Sequence, residues 1–72
     1  MKDYEKLMAE MEKGVIFLYN PNEETVVKIM PDGKAFAKFE GEAEYEVNMN
    51  TNMVTDAIIA AKQISEKDYN EY

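Results

Sequence analysis

Between Lys34 and Met49, every second position of the chain is uncharged. These positions are Ala35, Ala37, Phe39, Gly41, Ala43, Tyr45, Val47 and Met49. The alternate positions are polar except for Phe36, and they include a run of acids at Glu40, Glu42, Glu44 and Glu46. A period of two places the two sets on opposite faces of an extended chain. The pattern therefore predicts β-structure with one face suited to burial and the other to water.

Two earlier segments also predict strands. Residues 15–20 are apolar or aromatic up to Asn20, which is typical of a strand covered on both faces. Residues 25–30 are rich in β-branched side chains, which favour strands. The loop between these segments contains Pro21 and Asn22, and both residue types favour turns.

The turn after residue 30 determines how the second and third strands are aligned. Pro31 at its second position and Gly33 at its fourth favour a three-residue hairpin loop with a bulge at the glycine. A two-residue loop would mix apolar and polar residues on each face, because a slip of one residue inverts every side chain. The three-residue loop instead aligns apolar partners: Ile29 with Ala35, Val27 with Ala37 and Thr25 with Phe39.

Gly41 leaves two alternatives open. The strand could continue through Gly41 with a bend, and the sheet would then have three strands. It could also reverse through residues 40–42, which would create a fourth strand and keep the apolar face intact. The second alternative predicts the pairs Phe39 with Ala43 and Ala37 with Tyr45.

Helical periodicity appears at both ends of the chain. Residues 2–13 carry a stripe with the spacing of one helix face: Tyr4, Leu7, Met8 and Met11. A last helix is predicted to begin at Thr51 or Asn52, either of which suits an N-cap. Its expected buried stripe is Val54, Ala57, Ile58, Ala61 and Ile64. Ser65 and the acid three residues later allow either a recapped final turn or an uninterrupted helix, with a frayed end over residues 68–72.

These elements predict a single small acidic α+β domain over residues 1–72. The expected architecture has two layers, a three- or four-stranded antiparallel meander sheet packed by an N-terminal and a C-terminal helix. This order resembles the double-stranded RNA-binding domain, with local likeness at Asn20-Pro21 and at Ala60-Ala61-Lys62-Gln63. The chain lacks the lysine cluster that opens the last helix of that family, so RNA binding is not carried over. The resemblance implies that both helices cover one sheet face and leave the other open.

An open second face would expose apolar side chains beside lysines. The residues expected there are Val26, Met30 and Phe36. Exposed apolar clusters often mark a contact surface, although lysine stems can also cover them. A chain of this length buries only about 60% of its surface, so a second copy would supplement its core. This face therefore predicts either a partner-binding site or the contact of a homodimeric structural or accessory subunit.

The composition removes many chemistries. The chain has no histidine, cysteine, arginine or tryptophan. The usual general base, thiol nucleophile and zinc ligands are therefore absent. We expect no enzyme activity, no metal site and no cofactor.

The net charge of −7 arises from fifteen acids against eight lysines. Such a chain is repelled by nucleic-acid phosphates and anionic membranes, and is attracted to basic protein surfaces. No apolar run is long enough to span a bilayer, so we expect a cytoplasmic protein. In size and charge it resembles the small acidic inhibitors encoded by phages and mobile elements, such as anti-CRISPR proteins and DNA mimics.

The run of glutamates is the second candidate contact surface. Same-face residues on a strand lie about 6.6–6.8 Å apart, so four carboxylates would form a row about 20 Å long. Such a row could occupy the phosphate-binding groove of a nucleic-acid-binding enzyme. The alternative is a solvated strand whose charges prevent aggregation. The functional expectation is an inhibitor or modulator of a basic nucleic-acid-handling protein, bound through Glu40, Glu42, Glu44, Glu46, Phe36, Val26 and Met30.

Overall fold

A computed structural model describes residues 5, 6, 9, 10 and 12–72 of the chain. From residue 12 onward, its strands and helices are β1 (Ile16–Asn20), β2 (Thr25–Ile29), β3 (Ala35–Phe39), β4 (Tyr45–Val47), α1 (Asn52–Ala60), β5 (Lys62–Gln63) and α2 (Glu66–Glu71). The strands form one antiparallel sheet in the order β4-β3-β2-β1-β5. The α+β prediction is confirmed, whereas the predicted strand number is wrong because the sheet has five strands.

The hairpin between β2 and β3 has the predicted register. Gly33 adopts a left-handed φ of 93°, a conformation that glycine adopts without steric cost. The Met30 N–H donates to the Lys34 carbonyl at 2.8 Å and closes the three-residue loop. The three predicted pairs are present: Ile29 with Ala35, Val27 with Ala37 and Thr25 with Phe39.

The chain reverses at Gly41, which has a φ of 75°. The Glu42 N–H donates to the Phe39 carbonyl at 3.0 Å. Ala37 then pairs with Tyr45, as the four-strand alternative predicted. The three-strand alternative is therefore wrong.

The predicted last helix is divided in two. α1 ends at Ala60, and its C-cap Ala61 adopts a left-handed φ of 52°. The next two residues form β5 and pair with β1, and the Ile64 N–H donates to the Phe17 carbonyl at 2.9 Å. An uninterrupted helix would have left this edge of β1 unpaired. The segment that resembled the last helix of the double-stranded RNA-binding domain thus runs from helix into strand.

The recapped final turn is confirmed as helix α2. Its N-cap is Ser65, whose Oγ accepts a hydrogen bond from the Asp68 N–H at 3.0 Å. The expected fraying of residues 68–72 is wrong, because Tyr69 is only 2% exposed.

The aliphatic core lies between α1 and one face of the sheet. Its buried members are Ile16, Leu18, Val27, Ile29, Ala35, Ala37, Val54 and Ala57, with Val47, Met49, Met53, Ile58 and Ala61 packed around them. Burying one large aliphatic side chain contributes roughly 1.5–3 kcal/mol. Phe39 and Tyr45 were expected on this buried face but are 37% and 41% exposed.

Asn20 attaches α1 to the end of β1. Its side-chain N–H donates to the Met53 carbonyl at 2.7 Å. Its side-chain oxygen accepts from the backbone N–H groups of Asn22 and Glu23 at 2.9 and 3.1 Å. These three bonds satisfy the buried amide and fix the loop between β1 and β2.

The predicted N-terminal helix lies partly outside the described residues. Glu5, Lys6, Ala9 and Glu10 are helical, as predicted. The residues of its apolar stripe, Tyr4, Leu7, Met8 and Met11, all lie outside the described part. The Gln63 side chain donates to the Glu10 carboxylate at 2.7 Å, which joins this region to β5. In the part of the chain that is described, no helix is both long and apolar enough to cross a membrane.

Candidate functional site

Helix α2 packs on the β1 and β2 part of the second sheet face, so the prediction of an open face is wrong. The Tyr69 ring packs against the Phe17 ring with centroids 5.2 Å apart. Val26 is fully buried, and Met30 and Phe36 are half-buried. The physical reason is the break after α1, which returns the chain across the sheet edge and onto the opposite face. Val26 is therefore inaccessible to a partner, whereas Met30 and Phe36 each retain some exposed surface.

Side chains from the sheet and from the turn after β3 contact Tyr69 of α2. The Tyr69 hydroxyl donates to Glu44 Oε1 at 2.7 Å, and Lys28 Nζ forms an ion pair with the same oxygen at 3.0 Å. Lys28 Nζ also lies 4.9 Å from the centroid of the Phe36 ring and 5.7 Å from that of the Tyr69 ring. Cations at such distances are attracted to the faces of aromatic rings. Glu44 therefore joins the turn after β3 to both β2 and α2.

These contacts alter the ionisation of both partners. The hydrogen bond from Tyr69 and then the contact with Lys28 hold the pKa of Glu44 below its ordinary value. Burial, together with the nearby charge of Glu44, raises the pKa of Tyr69. Near neutral pH, the pair is therefore a carboxylate accepting a hydrogen bond from a neutral phenol.

The predicted straight row of glutamates is not present, because the chain reverses at Gly41. Glu40, Glu42 and Glu44 lie in the turn between β3 and β4, and Glu46 lies in β4 opposite Phe36. All four glutamates are exposed. Glu44 has Lys28 beside it, and this is the one ion pair between residues that the structure describes.

Acids from α2 join Glu40 around an open cavity of about 410 Å³. Its lining residues are Tyr19, Val26, Glu40, Ile64, Asp68, Glu71 and Tyr72. Sequence reasoning missed this cavity because it treated residues 68–72 as frayed. Two features of the sequence indicated an ordered helix here. Ser65 suits an N-cap, and Tyr69 and Tyr72 are three residues apart, which places them on one side of a short helix.

Met30 lies at a different cavity of about 440 Å³. The other residues that line this cavity are Val15, Phe17, Lys28 and Glu66. The sequence-predicted site residues therefore do not form one surface: Glu40 and Met30 line separate cavities, and Val26 is buried between the sheet and α2.

The remaining exposed apolar side chains lie mainly near β4 and α1. The Phe39 and Tyr45 rings stack with centroids 6.2 Å apart and an interplanar angle of 9°. Ile59, on the outer side of α1, is 67% exposed. Phe39 and Tyr45 were expected on the buried face, and Ile59 was not singled out.

Within the described ranges, no group of three or more acidic residues is arranged to hold a metal ion. Comparison with protein-family models, with curated proteins and with solved structures finds no match to this chain. The inference of function therefore depends on the surface chemistry alone.

Proposed function

We propose that this protein is a non-enzymatic binding protein that inhibits or modulates a basic nucleic-acid-handling protein. It would act in the manner of anti-CRISPR proteins and DNA mimics, in the cytoplasm of a phage-infected bacterium. The acidic surface would occupy the groove in which the partner binds phosphates. No direct contact with nucleic acid or membrane is part of this proposal, because both carry negative charge.

The observation that carries the proposal is the convergence of carboxylates from two segments. Glu40 belongs to the turn after β3, whereas Asp68 and Glu71 belong to α2, and all three line one cavity. Glu42 and Glu46 extend the acidic surface along the same turn and β4, and both are exposed. Carboxylates grouped in this way produce a negative potential that steers basic partners toward the site.

The alternative function, a homodimeric structural or accessory subunit, has lost the surface predicted for it. α2 occupies the sheet face on which a second copy was expected to pack. A homodimer would have to use another apolar area, and the stacked rings of Phe39 and Tyr45 beside the edge strand β4 are the best remaining candidate. A dimer at micromolar concentration in sedimentation, dissociated by Tyr45→Lys, would support this alternative.

Affinity capture with matched charge variants tests the acidic-surface proposal. The test variant carries Glu40→Gln, Glu42→Gln and Glu46→Gln and leaves Glu44 in place, because Glu44 supports the fold. The control variant carries Glu12→Gln, Asp32→Asn and Asp56→Asn, which also removes three charges. Asparagine at position 32 can still accept the hydrogen bond from the Lys34 N–H. Both variants should fold, since exposed substitutions usually cost less than about 0.5 kcal/mol.

Wild-type and control protein should capture the same basic nucleic-acid-binding protein from a bacterial lysate, and the test variant should not. Duplex DNA should compete with the captured complex. Binding should also weaken as salt rises, because the screening length falls from about 10 Å at 0.1 M to about 3 Å at 1 M. Equal capture by the test and control variants, or a partner that DNA does not displace, would contradict the proposal.

A further inference from the structure

We propose that the cavity between α2 and the turn after β3 binds one lysine or arginine side chain of a basic protein partner. The inference rests on the proposed function and deepens it, since it names the group of the partner that is recognised. The site consists of the Tyr19 and Tyr72 rings together with the carboxylates of Glu40, Asp68 and Glu71. The chemical class of the ligand is an alkylammonium or alkylguanidinium cation.

The lining of the cavity combines two kinds of group that attract organic cations. Carboxylates accept charge-assisted hydrogen bonds from ammonium and guanidinium N–H groups. Tyrosine rings attract cations through the negative charge of their faces and also pack against an alkyl stem. Here the two ring centroids are 6.2 Å apart, and the rings are inclined at 63° to each other. The half-buried Ile64 adds an apolar contact for the methylene groups.

The volume suits a side chain rather than a bare ion. At about 410 Å³ the cavity lies within the range of roughly 300–1,000 Å³ that is common for ligand sites. The described acids are not grouped closely enough to hold a metal ion. An anion would be repelled by the three carboxylates, so an organic cation fits the charge and the apolar surface together.

Backbone and side-chain hydrogen bonds hold the walls in place without a ligand. The Gly41 N–H donates to the Tyr72 carbonyl at 2.7 Å, which ties the turn carrying Glu40 to the end of α2. The Tyr72 hydroxyl donates to the Glu24 carbonyl at 2.8 Å and fixes the orientation of its ring. Burial, and then the nearby Tyr19, Glu40 and Glu24, raise the pKa of Tyr72, which is consistent with a negative local potential. A preformed site lowers the ordering cost of binding.

Titration with small probes, followed by amide NMR, tests the cavity without requiring the partner. The cationic probes are N-acetyl-lysine methylamide and N-acetyl-arginine methylamide, and the neutral control is N-acetyl-norleucine methylamide. The cationic probes should shift the amide signals of Gly41, Ile64 and Tyr72 in a saturable manner, and the neutral probe should not. If only one cationic probe binds, that result identifies which of the two side chains is preferred.

Two variants with the same change of charge distinguish the cavity from general electrostatic attraction. Glu40→Gln alters the lining, whereas Asp32→Asn removes the same charge from the hairpin between β2 and β3, outside the lining. Glu40→Gln should weaken probe binding by about two- to fivefold, the range expected for loss of one exposed charge pair. Asp32→Asn should leave it unchanged. Equal weakening by both variants, equal shifts with the neutral probe, or shifts located elsewhere would overturn the inference.

The two proposals can fail independently. If the probes do not bind but charge-dependent capture of a basic partner persists, the acidic surface acts without the cavity. If the probes bind but no basic partner is captured, the cavity is a cation site and the proposed function is wrong.

Discussion

The two faces of the sheet are covered by helices that differ in length and in chemistry. Under the nine-residue α1, the contacts are aliphatic and come from β1, β2 and β3. Under the six-residue α2, the contacts are aromatic rings, a lysine and a hydrogen bond to a carboxylate. Burial of apolar surface holds α1 on one face of the sheet, and a few directional contacts hold α2 on the other.

This difference bears on both the stability of the fold and the proposed binding surface. Hydrophobic burial is non-directional and roughly proportional to area, so the α1 face stabilises the sheet without presenting specific chemistry. A helix of six residues is far too short to be stable alone, so α2 depends on Tyr69 and its partners. The same helix places Asp68 and Glu71 beside Glu40. The proposed binding surface is therefore built on the less robust of the two faces.

The largest effect is expected from truncation on the α1 side. Leu18 is fully buried in the aliphatic core, and Leu18→Ala should lower the free energy of unfolding by about 2–5 kcal/mol. Chemical denaturation followed by circular dichroism measures this change. Ile59→Ala is the control, because its side chain is 67% exposed and should change stability little. Equal changes for the two variants would contradict the assignment of the core.

Tyr69→Phe tests the directional contact on the α2 side. It keeps the ring against Phe17 but removes the hydroxyl that donates to Glu44. We expect a loss of about 1 kcal/mol, below the usual value for hydrogen bonds to charged groups because Glu44 remains partly hydrated. Native-state hydrogen exchange should show faster exchange in α2 than in β2. Tyr45→Phe is the control, since the Tyr45 hydroxyl donates only a weak hydrogen bond, to the Met53 sulfur at 3.9 Å.

The raised pKa of Tyr69 predicts that wild-type protein and Tyr69→Phe differ in how their stability falls in alkali. Because the folded-state pKa of Tyr69 is raised, its contribution to stability is fully present below the ordinary tyrosine value of 10.0. It is lost as the pH rises above that value, where the unfolded chain ionises first. Wild-type protein should therefore lose stability between pH 9 and pH 11 more steeply than Tyr69→Phe. Parallel curves for the two proteins would show that Tyr69 has the same pKa in both states.

Ser65→Ala sharpens the comparison by removing only the cap of α2. The Ser65 Oγ accepts from the Asp68 N–H, and loss of such a cap typically costs about 1 kcal/mol, with the lower end of the range near 0.5 kcal/mol. We expect the lower end here, because α2 can detach locally while the α1 face stays packed. Thr55→Ala is the control, since Thr55 is an exposed residue inside α1 and is not part of a cap. A larger loss from Thr55→Ala would reverse the predicted order.

The smallest expected effect is the contribution of Glu44 to stability, which should disappear at acid pH. Contacts with Tyr69 and Lys28 lower the pKa of Glu44, so its contribution is present above its ordinary value of 4.5 and is lost as the pH falls below that value. The Glu44 side chain is 40% exposed, so solvent screening limits the pair to about 0.2–1 kcal/mol. Glu44→Gln should therefore be less stable than wild type at pH 7 and nearly equal at pH 3. Denaturant melts at both pH values, with Glu46→Gln as control, measure the difference.

Turn chemistry and alternation were sufficient to predict the centre of the sheet. Pro31 and Gly33 selected one loop length, and that length fixed every pair between β2 and β3. The same alternation also predicted that Ala37 faces Tyr45 once the chain turned at Gly41. These features are local, because the residues that determine them lie within a few positions of one another.

The path of the chain after α1 was not predicted. Ala61 carries no residue-type signal for a left-handed stop, since alanine favours helices. Lys62 and Gln63 carry no strand pattern, and their pairing depends on the free edge of β1. Tyr69 and Glu44 are twenty-five positions apart, and nothing in either segment alone specifies their hydrogen bond.

The sequence by itself determined the α+β class, the hairpin register, most of the apolar residues of the α1 face and the excess of negative charge. The first three follow from periodicity and turn chemistry, which neighbouring residues determine, and the last follows from composition. The tertiary structure alone decided that α2 covers the second face, that Val26 is buried, and that Glu40 lies with Asp68 and Glu71 around one cavity. Those outcomes depend on which distant segments bury each other's surface, and that competition is resolved only when the whole chain packs.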